Sequence, residues 1–120
     1  RTPPVEDHHS SKGNTLEINN KITAAQYFGK AITSLNTAKA NTRFFPSDRY
    51  DEAIHDTYYF LALSYHRLYQ ATKKRSLIDK ADLAWREYFD FFPHRLEKKH
   101  EYSSIRTQAK KYWQEIKRES

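Results

Sequence analysis

The chain has 120 residues, a net charge of +6, and neither cysteine nor methionine. Within these residues the lack of cysteine excludes a disulfide framework, thiolate catalysis and a zinc site built on cysteine. Eleven Ala, one Val and two Gly favour helices over strands, because strands are enriched in β-branched residues. We therefore predict one all-α domain of about four amphipathic antiparallel helices, arranged as a solenoid fragment or a small bundle.

The first segment of the chain, residues 1–14, contains Pro3 and Pro4 and one apolar residue, Val5. Such a composition buries too little apolar surface to fold, so we predict a disordered tether followed by a helical domain over residues 15–120. Because the chain does not begin with methionine, we expect it to be a processed product. No run of about 20 apolar residues occurs, so no membrane span is predicted.

Apolar residues at three- and four-residue steps predict the helices. The first contains Gly29, which would allow close packing, a bend or a break. We expect Ser47 or Asp48 to cap the second helix, and Ser76 with Asp79 to cap the third. The predicted ranges are about Thr15–Phe44, Asp48–Gln70, Ser76–Phe92 and His100–Lys117.

The tripeptide Phe-Phe-Pro occurs twice, at residues 44–46 and 91–93, which lie 47 residues apart. Each copy ends a predicted helix, since the residue before a proline avoids the helical conformation. Two copies in the same structural role predict a recurring turn between helices. They are better evidence for a shared turn than for two equal repeats.

Residues 44–93 resemble a tetratricopeptide-type repeat. Leu-Ala-Leu-Ser-Tyr at residues 61–65 is similar to the first-helix pattern, and Ala81 stands twelve residues before Pro93, as in the repeat consensus. The chain departs from that pattern in its longer period, which is usually about 34 residues. The resemblance implies a packing role for Ala62, Tyr65, Ala81, Trp85, Tyr88 and Pro93.

The junctions at residues 88–93 and 45–53 resemble those of bacterial envelope repeat lipoproteins, and most of all the BamD group of outer-membrane barrel-assembly lipoproteins. The resemblance implies a non-enzymatic scaffold on the periplasmic face of the outer membrane, without a cofactor. It also implies a barrel insertase as protein partner. Membrane association would come only from a lipidated cysteine upstream of Arg1.

The positive charge lies in the second half of the chain. Residues 1–60 carry seven basic and seven acidic side chains, whereas residues 61–120 carry fourteen and eight. This asymmetry indicates either a basic surface for an acidic partner or a set of solvated Lys-rich helix faces. The candidate contacts are two tyrosines off the main apolar stripe and the basic clusters near the ends of the third helix: Tyr59, Tyr69, Lys73, Lys74, Arg75, Lys98 and Lys99.

No residue pattern predicts catalysis or a metal site. His55 and Asp56 are consecutive, and consecutive helix positions point about 100° apart, so we expect no dyad. His66 lies about 16 Å further along the same helix, too far to share a metal with His55. Besides the protein-binding scaffold, two alternatives stay open: a basic helical domain that binds nucleic acid, although nucleic acid is the less favoured partner, and a generic peptide-binding repeat domain in another compartment.

Overall fold

The computed structural model describes the backbone of residues 5–120 and the side chains of residues 15–20 and 23–120. The described chain folds into four α-helices without strands, which confirms the all-α prediction. Three single 3₁₀ turns lie in the connections, at Thr42–Phe44, Ser47–Arg49 and His94–Leu96. The helices are α1 (Val5–Ala40), α2 (Tyr50–Thr72), α3 (Ser76–Asp90) and α4 (His100–Glu119).

Helix α1 begins at Val5, earlier than the predicted start near Thr15. After Pro4 the sequence contains no proline before Pro46, so nothing in it removes a backbone donor and interrupts the helix. Of the predicted tether over residues 1–14, residues 1–4 lie outside the described residues.

Helix α1 is continuous through Gly29. A Cβ atom placed at Gly29 would meet nothing within 4 Å, apart from the helix's own backbone. Neither close packing nor a bend therefore requires glycine at this position.

Replacing Gly29 by alanine is expected to stabilise the protein. Glycine in a helix interior costs about 0.5–1 kcal/mol relative to alanine, because the unfolded chain has more conformational freedom to lose. Urea denaturation of Gly29→Ala should show a gain of that size in the free energy of unfolding. A loss of stability would mean that a neighbouring element needs the space at Gly29.

The two Phe-Phe-Pro turns have the same backbone structure. Pro46 has φ −57° and ψ 135°, and Pro93 has φ −64° and ψ 126°. Each proline carbonyl accepts a hydrogen bond from the amide three residues later, at 3.2 Å from Arg49 and 3.0 Å from Leu96. Turns of the same structure therefore join α1 to α2 and α3 to α4.

The predicted helix caps are wrong. The residues that precede α2 and α3 are Arg49 and Arg75, and neither helix has a side-chain cap hydrogen bond. A 3₁₀ turn at Ser47–Arg49 displaces the start of α2 beyond the capping residues that the sequence suggested. Before α3, Arg75 is already in the helical conformation, so Ser76 lies inside the helix rather than at its cap.

The helices pack mainly on their neighbours in sequence: α1 on α2, α2 on α3 and α3 on α4, with a smaller contact between α2 and α4. Aliphatic side chains are scarce, so aromatic rings fill much of the core. Trp85 stacks on Tyr112 at a centroid distance of 5.7 Å, and both Trp85 and Tyr88 are fully buried. Of the residues with a predicted packing role, Ala62, Ala81, Trp85 and Tyr88 are fully buried, and Tyr65 and Pro93 are half-buried.

Candidate functional site

The predicted contact residues do not form one surface. The basic loop at residues 73–75 joins α2 to α3, whereas Lys98 and Lys99 precede α4 near the opposite end of α3. Helix α3 has 15 residues, so these two ends lie about 22 Å apart. The two basic clusters both flank α3 in the sequence and therefore lie at opposite ends of this helix in the structure.

The two candidate tyrosines belong to the helix packing. Tyr69 is 5% exposed, and its hydroxyl donates a hydrogen bond to Glu119 at 2.7 Å. Tyr59 is half-buried between His55 and Trp85. Their position off the main apolar stripe of α2 suggested that they would be exposed. However, α2 contacts α1, α3 and α4, so its buried surface is wider than that one stripe.

A cleft of about 650 Å³ lies between the start of α2 and the turn that precedes α4. Carboxylates of residues 48–52 and the basic side chains of Arg95 and Lys99 line it together. Lys99 forms an ion pair with Glu52 at 3.7 Å. Opposite charges on one cleft offset each other, so this cleft has no clear preference for either sign of ligand.

His55 and Asp56 do interact, so the expectation that they would not is wrong. Nδ1 of His55 lies 2.9 Å from Oδ1 of Asp56, and Nε2 lies 2.9 Å from the Tyr88 hydroxyl. The Asp56 carboxylate reaches the ring although consecutive helix positions point about 100° apart. Burial raises the pKa of Tyr88 far above its usual range, so its hydroxyl stays protonated.

The order of carboxylate, imidazole and hydroxyl is the order found in acyl-transfer triads. Here the hydroxyl belongs to Tyr88, which is 0% exposed, and the imidazole belongs to His55, which is 1% exposed. A substrate cannot approach a fully buried oxygen atom. The arrangement therefore satisfies the polar atoms of a buried histidine, which would otherwise cost stability.

A second buried histidine joins three helices. His66, on α2, accepts a hydrogen bond at Nδ1 from the Trp85 indole of α3, at 3.1 Å. Its Nε2 lies 3.2 Å from the Glu115 carboxylate of α4. An indole N–H can only donate, so Nδ1 must lack a proton and the ring is neutral with its proton on Nε2. Burial lowers the pKa of His66, and the hydrogen bond and charge of Glu115 oppose that shift.

Acidification is expected to destabilise the protein through His66. The folded pKa lies below the ordinary 6.5, so the stabilisation is complete above pH 6.5 and is lost as the pH falls through the folded pKa. Protonated Nδ1 would face the Trp85 N–H, and losing that hydrogen bond should cost about 1 kcal/mol. The groups that face His66 are Trp85 from α3, Tyr112 and Glu115 from α4, and Arg67 beside it on α2.

The measurement is the free energy of unfolding from pH 7.5 down to mildly acidic pH. His66→Asn keeps an acceptor for Trp85 but does not titrate, so its pH dependence should be shallower than that of the original chain. His100→Asn provides the control, because His100 is exposed and makes no side-chain hydrogen bond or ion pair within the described residues, and it should leave the pH dependence unchanged. Equal slopes for His66→Asn and the original chain would show that His66 is not the titrating group.

A second groove, of about 450 Å³, lies between α3 and α4. Its floor is aromatic: Phe89 of α3 stacks on Trp113 of α4 at a centroid distance of 5.3 Å. The Trp113 indole N–H donates a hydrogen bond to Asp82 at 2.6 Å, which fixes the ring across the helix junction. The lining residues are Phe89, Ser103, Arg106, Thr107, Lys110, Trp113, Gln114 and Lys117.

The charges on this groove have one sign. Arg106, Lys110 and Lys117 line it, and no carboxylate is among the lining residues. Within the part of the chain that the structure describes, none of the three forms a salt bridge, whereas Lys39 pairs with Glu87 across the helices. The groove therefore concentrates positive potential over an apolar floor.

Helix α4 separates its charges by face. Arg106, Lys110 and Lys117 fall within about 40° of one another around the helix axis. Glu115 and Glu119 lie on the opposite side, where they bond to His66 and Tyr69 of α2. The excess positive charge of the second half of the chain is thus directed partly into the groove.

The groove residues were not among the predicted contacts. Their signal in the sequence is the spacing of Arg106, Lys110 and Lys117, which places three cations on one helical face around Trp113. That spacing alone does not reveal that α3 provides Phe89 as the other half of the floor.

Searches against protein-family models, curated proteins and solved structures found no match. Among the helices described, none has an apolar stretch long enough to cross a lipid bilayer. In the same described residues, no three histidine or carboxylate side chains converge on a position that would suit a metal ion. The geometry of the groove is therefore the main guide to function.

Proposed function

We propose that this chain is a non-enzymatic helical scaffold that binds other proteins, and that the groove between α3 and α4 is its contact site. The observation that carries the proposal is the open aromatic floor formed by Phe89 and Trp113, surrounded by polar and cationic side chains. Aromatic side chains and arginine are enriched where proteins meet, because they combine large apolar contact area with polar ends.

The volume and the rigidity of the groove suit such a contact. A groove of about 450 Å³ has room for side chains of a partner, since pockets of about 300–1,000 Å³ hold whole small molecules. Both walls are regular helices, and the Trp113–Asp82 hydrogen bond ties one wall to the other. A partner would therefore meet a preformed surface and would lose little free energy to ordering it.

A more specific proposal follows from the resemblance of residues 44–93 to tetratricopeptide-type repeats. Packing between sequence neighbours, the recurring Phe-Phe-Pro turn and the complete burial of Ala81 support a helical-repeat protein. If the chain is akin to the barrel-assembly lipoproteins, its partner is an outer-membrane barrel insertase. Its location is then the periplasmic face of that membrane, with any lipid anchor outside this chain.

Site-specific photo-crosslinking in cells of the source organism tests the scaffold proposal. A photoreactive amino acid at Thr107, inside the groove, should crosslink a discrete protein, whereas the same amino acid at Gln108 on the opposite face of α4 should not. The mass spectrum of the crosslinked product identifies the partner. A barrel insertase would support the envelope proposal, and a cytosolic partner would reject it while keeping the scaffold. Equal crosslinking at both positions, or none, would reject the groove as the contact site.

A further inference from the structure

We propose that the groove between α3 and α4 binds an acidic segment of a partner protein that inserts one apolar side chain onto Phe89 and Trp113. This inference rests on the proposed protein-binding function and adds the chemistry of the partner. It combines two features of one site: a row of three cations with no carboxylate among the lining residues, and an apolar floor beneath them.

The charge of the groove selects the sign of the partner. Other basic side chains already have acidic partners: Lys99 pairs with Glu52 at 3.7 Å, and Arg86 pairs with Asp82 at 3.4 Å. The three cations of the groove have no such pairing within the described residues. An acidic segment would supply it, and like charges on a basic segment would be repelled.

Two of the cations are held in place by aromatic rings. The Arg106 guanidinium lies 4.8 Å from the centre of the Phe92 ring, and the Lys117 ammonium lies 4.1 Å from the centre of the Trp113 ring. Such contacts restrict long side chains that would otherwise lose rotamer freedom on binding. A restrained guanidinium also presents its planar donors to a carboxylate in the geometry that two parallel hydrogen bonds require.

The spacing of the cations suits an extended segment. Arg106 and Lys110 are four helical residues apart, a rise of about 6 Å, and Lys117 lies about 16 Å beyond Arg106. In an extended chain, alternate side chains share a face and lie about 6.6 Å apart. Two acidic residues separated by one residue would therefore meet Arg106 and Lys110 together, and an apolar residue further along would reach Trp113.

A protein segment fits better than a single-stranded nucleic acid. Nucleic-acid channels use aromatic faces on which bases stack. The Trp113 ring already stacks on Phe89 and has the Lys117 ammonium over it, so a base would have to displace one of them. A base needs a whole ring face, whereas an aliphatic side chain can pack against the parts of Phe89 and Trp113 that line the groove. A carboxylate can bond to Lys117 at the same time, and the two rings stay in contact with each other.

The test is fluorescence anisotropy with the complete chain and a labelled peptide of repeated Glu-Ser-Glu-Ser-Leu-Ser units, the Glu–Leu peptide, which when extended places its Glu and Leu side chains on one face. Two matched peptides replace every Glu by Gln, or every Leu by Ser. We expect the Glu–Leu peptide to bind and each matched peptide to bind at least about tenfold more weakly, since each removes one of the two contact types. Single-stranded oligothymidylate is the fourth probe, measured at the same salt concentration.

Two charge reversals on α4 provide the matched variants. Lys110→Glu places a carboxylate in the groove and should weaken binding of the Glu–Leu peptide by about tenfold, or about 1.4 kcal/mol. Lys111→Glu makes the same change on the next residue, outside the groove, and should change binding by less than about twofold. Both side chains are exposed, so circular dichroism should show the same fold for both variants.

Several results would overturn the acidic-segment proposal. These are absence of binding by the Glu–Leu peptide, equal binding of the Gln peptide, equal effects of the two charge reversals, and tighter binding of oligothymidylate through Lys110. If one of them occurs while Thr107 still crosslinks a protein in cells, only the acidic chemistry fails. If Thr107 crosslinks nothing, the groove is rejected as the contact site, and the proposed function fails together with the acidic chemistry.

Discussion

Replacing Trp85 by alanine is expected to destabilise the protein by about 3–5 kcal/mol, the largest effect of any single substitution considered for this fold. Trp85 is 0% exposed and contacts rings from α2, α3 and α4. Its removal would leave a cavity that the surrounding rigid rings cannot fill. It would also remove the donor that bonds to Nδ1 of buried His66.

Urea denaturation followed by far-ultraviolet circular dichroism measures this loss, because that signal does not depend on tryptophan fluorescence. Trp113→Ala is the matched control: the same atoms are removed from a half-buried ring at the edge of the groove. We expect it to cost less than half as much, since less surface is buried at that position. Equal costs for the two variants would contradict the position of Trp85 at the centre of the core.

The second large effect is expected for Ala81→Leu. Ala81 is 0% exposed and belongs to the buried cluster shared by α2, α3 and α4, in which Ala62 of α2 is also fully buried. Small residues at such a crossing allow the helix backbones to approach closely. A leucine there should destabilise the fold by about 1–3 kcal/mol through overpacking.

Ala25→Leu provides the comparison for that experiment, because Ala25 is exposed on α1 and has room for a larger side chain. Its free energy of unfolding should change by no more than about 0.5 kcal/mol. If Ala81→Leu were equally neutral, α2 and α3 would not cross closely at Ala81. The resemblance to tetratricopeptide-type repeats would then lose the spacing from Ala81 to Pro93 on which it partly depends.

Helices α2, α3 and α4 could be predicted because their apolar periodicity reports burial on one side, and burial dominates their stability. The two Phe-Phe-Pro turns could also be predicted from the sequence, since proline restricts its own backbone and that of the preceding residue. The helix caps could not be predicted in this way. Ser47 and Ser76 have suitable side chains, but the backbone conformation of the preceding turn determines where each helix begins. That backbone depends on contacts that periodicity does not describe.

The candidate site was predicted less well, for a physical reason. Its floor needs Phe89 and Trp113 from two helices, and a sequence does not state which faces of two helices meet. A basic cluster such as residues 73–75 is visible in the sequence because its residues are contiguous. Arg106, Lys110 and Lys117 are separated in sequence and lie on one face only when α4 is helical. Helical periodicity of charge, examined in the same way as periodicity of hydrophobicity, would have shown the cations on one face and Glu115 on another.

The packing of each helix on its neighbour in sequence also has a kinetic consequence. Most tertiary contacts join helices that are adjacent in sequence, and helical proteins rich in such local contacts fold quickly. An array stabilised by nearest-neighbour interfaces can also open from its ends without losing the middle. Native-state hydrogen exchange should therefore be slowest in α2 and α3, faster in α4, and fastest in the stretch of α1 that includes the exposed Leu16 and Ile18.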